Sequence, residues 1–63
     1  MTHSETADHI FKLVSTSGAE SFKEAEQMII MFYIPDMSYS RGGICLAIKR
    51  LRRFWEDKKN ELD

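Results

Sequence analysis

Apolar residues along this chain fall into three groups, each with the period of a helix. Ala7, Ile10, Phe11 and Val14 recur at i, i+3, i+4 and i+7, with Ser4 or Thr6 as the cap and Ser17-Gly18 as the stop. The next stretch, "SFKE", has the form of a capping box, with Ser21 accepting from the Glu24 N–H and the Glu24 carboxylate returning to the Ser21 N–H. It opens a second helix with Ala25, Met28, Ile29, Phe32 and Tyr33 on one face, which Pro35 ends by restricting Ile34. A strand competes for "MIIMFYI", Met28 to Ile34, but only three of its seven residues are β-branched and no partner strand is evident. The third group, Ile44, Ala47, Ile48, Leu51, Phe54 and Trp55, lies on one helical arc after the connector "PDMSYS". Gly42 and Gly43 at its start each cost about 1 kcal/mol relative to alanine in a helix interior. Either the helix begins at Ile44 or another backbone must come close.

The pattern predicts one all-α domain over residues 1–63, a compact three-helix unit with helices at about 6–16, 22–33 and 42–59. Some apolar residues do not fit this plan. Ile30, Met31 and Ile34 fall away from the packed face of the second helix, and a helix apolar all round must be covered all round. Leu46 stands roughly 160° from the centre of the third helix's apolar arc, at 100° per residue. Together with Met37 in the connector, Ile30, Met31, Ile34 and Leu46 are expected to form a surface for a partner or a second copy.

Size sharpens this expectation. At 63 residues only about 60% of the unfolded surface is hidden, and such chains usually carry a staple. A single cysteine, Cys45, excludes an internal disulfide, and His3, His9 and Cys45 lack the spacing of a zinc site. Homodimerisation is the remaining staple. The first twenty residues are too polar for a signal peptide, and the longest apolar run falls far short of the ~20 residues of a membrane span. A soluble, cytoplasmic protein is expected, and the Met1 start suggests a complete small chain.

Charge is informative by region. Residues 1–40 hold six carboxylates against two lysines, while residues 41–59 hold seven cations against two carboxylates. The segment "SRGGICLAIKRL", Ser40 to Leu51, resembles the second, recognition half of a helix-turn-helix. That resemblance covers twelve residues and implies base-facing positions at Arg41, Gly42, Cys45, Leu46 and Lys49. Only Arg41 and Lys49 suit base edges, and Pro35 with its connector departs from the short turn of that motif. Nucleic-acid contact, if made, would run through Arg41, Lys49, Arg50 and Arg53 along the phosphates.

Catalytic signals are weak. Asp8 and His9 are neighbours in sequence and point about 100° apart on a helix, so His9 is expected on the solvated face. Cys45 has no histidine placed beside it by sequence. The expectation is therefore no enzyme, no cofactor, no metal and no small-molecule substrate, but a small binding module: a regulator, adaptor or inhibitor docking on a protein as a homodimer. The alternative is a dimeric DNA-binding transcriptional regulator using the basic helix 41–59.

Overall fold

The computed structural model of the chain describes residues 2–61, so Met1, Leu62 and Asp63 of the expected domain lie outside the described residues. Three helices follow one another: α1 (His3–Ser15), α2 (Phe22–Phe32) and α3 (Arg41–Glu61). Among the described residues there is no strand, and Met28 to Phe32 are helical.

α1 starts earlier than the period implied. Its cap is Thr2, not Ser4 or Thr6. The Glu5 N–H donates to Thr2 Oγ1 at 3.1 Å and the Thr2 N–H donates to Glu5 Oε1 at 3.2 Å, a complete capping box. The Thr2 N–H, with the Thr2 hydroxyl adding to its effect, holds the Glu5 carboxyl below its ordinary range. Thr6 is freed for the interior, where it is fully buried. At the other end the Ser17 hydroxyl donates to the Val14 carbonyl at 2.7 Å, and Gly18 takes the left-handed φ of 89° that ends the helix.

The cap of α2 differs from the expected box in one arm. The Glu24 N–H donates to Ser21 Oγ at 3.3 Å, but the Glu24 carboxylate accepts from the Glu20 N–H at 2.9 Å instead of from Ser21. At the entry to α3 the Ser40 hydroxyl oxygen accepts from the Gly43 N–H at 3.1 Å, so the helix begins at Arg41 and both glycines are helical.

Close approach explains those glycines. A Cβ on Gly43 would stand 2.5 Å from Thr6 Cβ, and one on Gly42 would stand 2.8 Å from the His3 ring. α1 lies directly along the start of α3, and this pairing is far more extensive than the contacts of α2 with either helix. Ala7, Ile10, Val14, Ala25, Ile29, Ala47 and Leu51 are fully buried between the three helices, with Ile44 nearly so.

The glycine seam moves the buried arc of α3. Because α1 sits over Gly43, the covered face widens toward Leu46 and Arg50, and Leu46 packs partly against the core instead of standing free among the cations. Phe32 departs in the opposite sense. Expected on the packed face, it is 62% exposed. It is the last residue of α2, and Tyr33, one position on, closes the end of the core by meeting Tyr39 edge-on at 5.1 Å between ring centres.

Candidate functional site: an apolar surface at the end of α2

The outward surface of the molecule is uneven. Over the last turn of α2 and the connector, Ile30, Met31, Phe32, Ile34 and Met37 are all exposed, Met31 at 65% and Met37 at 97%. The cause is local. α2 is only 11 residues long, or about 17 Å at 1.5 Å per residue, and its final turn carries apolar residues in several directions while its neighbours cover one side. After it, the Tyr33 and Ile34 N–H groups both donate to the Ile29 carbonyl, at 2.9 and 3.0 Å, and Pro35 turns the chain away. The turn is completed by the Asp36 carboxylate, which accepts from the Ser38 N–H at 2.9 Å.

Beside this turn the connector and α3 enclose an open groove of about 450 Å³. Ile34, Met37, Tyr39, Ile44, Cys45 and Ile48 line it, with Asp36 and Arg41 as its charged members. The Cys45 thiol is free and exposed. Of the surface residues expected from the sequence, Ile34 and Met37 reach this groove, Ile30 and Met31 stand outside its lining, and Leu46 turns toward the core. Sequence reasoning passed over Asp36, Tyr39 and Cys45 as lining residues. The signal was the shortness of "PDMSYS", which forces Ile34 and Met37 to lie near the first turns of α3.

Aromatic stacking holds the connector in place. The Tyr39 ring stacks on His9 at 5.7 Å with 19° between the planes, and the Tyr39 hydroxyl lies 3.3 Å from His9 Nε2. His9 is thus half-buried against the connector instead of being a solvated residue. Next to it, His3 Nδ1 lies 2.8 Å from Ser40 Oγ, tying the start of α1 to the cap of α3. The Tyr33 phenol is pushed above its ordinary range by burial, with the nearby Tyr39 adding to the effect.

The cations expected to face phosphate do not form one free stripe. Arg50 is paired with Asp8 of α1, Arg41 belongs to the groove, and Lys49 and Arg53 are exposed. Two further cations lie over rings, Arg52 above Phe22 and Lys58 above Phe54, each 5.3 Å from the ring centre. A second concavity of about 600 Å³ opens over Phe22 and Trp55, rimmed by Glu20, Arg52, Glu56 and Lys58 among others. Among the described residues no three His, Cys, Asp or Glu side chains gather in a way that could hold a metal ion, and no helix is long and apolar enough to cross a membrane.

Searches against family models, curated proteins and solved structures return no match to this chain.

Proposed function

We propose that the chain is a small non-catalytic helical binding module: a regulator, adaptor or inhibitor that docks on a protein partner and works as a homodimer. The observation that carries this reading is the exposure of Ile30, Met31, Phe32, Ile34 and Met37 within one eight-residue stretch. Large apolar residues gathered in this way mark interaction surfaces on a soluble fold, and methionine and aromatic side chains are enriched at the centre of such surfaces. The division of the basic helix supports the same reading over DNA binding, since Arg50 is already paired with Asp8 and the groove that holds Arg41 is mainly apolar.

Affinity capture from the source cell tests it, using the wild-type chain and Met31→Glu, each with and without nuclease. The expected result is a protein retained by the wild type after nuclease treatment and lost with Met31→Glu. Retention that survives Met31→Glu but disappears with nuclease would favour a DNA-binding regulator acting through helix 41–59.

A further inference from the structure

The groove between the connector and α3 carries an acid and a base on one apolar surface, Asp36 and Arg41. A surface that meets its own copy across a two-fold axis must be complementary to itself, so that residue i faces j while j faces i. One carboxylate and one guanidinium in the same lining as Ile34, Met37 and Cys45 meet that requirement, because the acid of each copy can face the base of the other.

Both charged groups are available for this. Among the described residues Arg41 forms no ion pair, in contrast to Arg50. Asp36 commits one carboxylate oxygen to the Ser38 N–H, which fixes its position and leaves the other oxygen to accept. The floor is accessible as well, with Ile34 half exposed and Met37 almost wholly so.

We propose that the occupant of this groove is a second copy of the chain, docked about a two-fold axis, with Asp36 of each copy against Arg41 of the other and the Ile34, Met37 and Cys45 floors joined. This rests on the reading of the chain as a homodimeric binding module. It adds which surface makes the dimer, and it leaves Met31 and Phe32, outside the groove lining, for the protein partner.

Sedimentation equilibrium on charge-reversed variants tests the arrangement. Asp36→Arg alone sets two guanidinium pairs face to face, and Arg41→Asp alone sets two carboxylate pairs face to face. Each should weaken self-association by roughly tenfold or more, as like charges at an interface do. An equimolar mixture of the two variants should recover it, because every cross-pair is then of opposite sign, and the double variant should recover it too.

Circular dichroism would confirm that each variant is helical. Arg41→Asp adds an acid to the first turn of α3, which the helix dipole favours. Asp36→Asn keeps an acceptor for the Ser38 N–H while removing the charge, and it should also weaken the dimer if Asp36→Arg proves poorly folded. A dimer indifferent to these changes, or a mixture that fails to recover, would overturn this two-fold while leaving a homodimer standing. A wild-type chain that stays at 7.4 kDa at every concentration would overturn the self-docking altogether. Docking on a different protein would then be judged by the Met31→Glu capture alone.

Discussion

The seam between α1 and α3 and the end of α2 obey opposite rules of packing. Along the seam, Gly43 gives up its side chain so that Thr6 can enter, Ala7 and Ala47 stay small, and the edge is closed by the Asp8–Arg50 pair. At the end of α2 large side chains are spent on solvent: Met31, Phe32 and Met37 are each more than half exposed. A chain of this size has little apolar surface to spare, and their position outside the core is what the proposed docking surface rests on. The seam makes the fold, and the end of α2 is where the proposed contact lies.

The largest effect should come from filling the seam. Gly43→Ala sets a methyl 2.5 Å from the buried Thr6 Cβ, and overpacking of this kind costs about 1 to 3 kcal/mol, against a helix-propensity gain of about 1 kcal/mol at most. The nearest atoms to the methyl of Gly42→Ala belong to the exposed His3 ring, which can swing aside at the cost of its Ser40 contact, so this change should cost less. Urea denaturation of the two variants reads the difference. Equal stability would mean that α1 and α3 do not approach as described.

Leu46 comes next and sharpens the boundary between the two regions. Packed partly against the core, it should lose about 1 to 2 kcal/mol of stability as Leu46→Ala, less than the full cost of a wholly buried leucine. Self-association should be unchanged. A variant of wild-type stability with impaired binding would return Leu46 to the contact surface.

Met37→Ser should alter the stability of the dissociated chain by no more than about 0.5 kcal/mol, as an exposed substitution does, while weakening the dimer. A marked fall in stability at dilutions where only monomer is present would show that Met37 is already covered within one chain.

The smallest effect is one of pH. Burial raises the Tyr33 phenol above its ordinary value. A group raised in this way gives its full contribution below the unfolded pKa, near 10 for tyrosine, and loses it as pH rises through the folded pKa. The melting temperature should therefore hold up to about pH 9 and decline above it, with a shallower decline in Tyr33→Phe. An unchanged decline would assign the alkaline loss to other groups.

The three helices were legible in the sequence because period, caps and breakers agreed: Ser21 and Pro35 bracket α2, and Ser40 opens α3 close to where it was expected. The phase of α3 was not legible. A wheel centred on Ile44, Ile48, Leu51 and Trp55 assumes that the packed face is the apolar face, whereas α1 docks on glycines, which carry no hydropathy to reveal it. Leu46 was consequently assigned to a partner surface and Arg50 to phosphate contact, and the Asp8–Arg50 pair, 42 residues apart in sequence, had no local signature. Phe32 was misplaced for a related reason. Periodicity assigns faces but not where a neighbouring helix stops covering them, and Tyr33 takes the last covered place. The exposed stretch itself was visible beforehand in Ile30, Met31, Ile34 and Met37. The groove was not, since it depends on how the connector folds back beside Cys45 and Ile48.

The most direct measurement is a dilution series followed by methyl NMR, with Met28, Met31 and Met37 as reporters at three depths of exposure. From millimolar to micromolar chain, the Met37 methyl and the Ile34 and Ile48 methyls of the groove should shift along one dimerisation isotherm. Met28, half-buried with its sulfur 3.4 Å from the Ser17 hydroxyl oxygen, and Met31 should stay nearly constant. Shifts confined to Met31, or no concentration dependence in any methyl, would contradict a dimer seated on the groove.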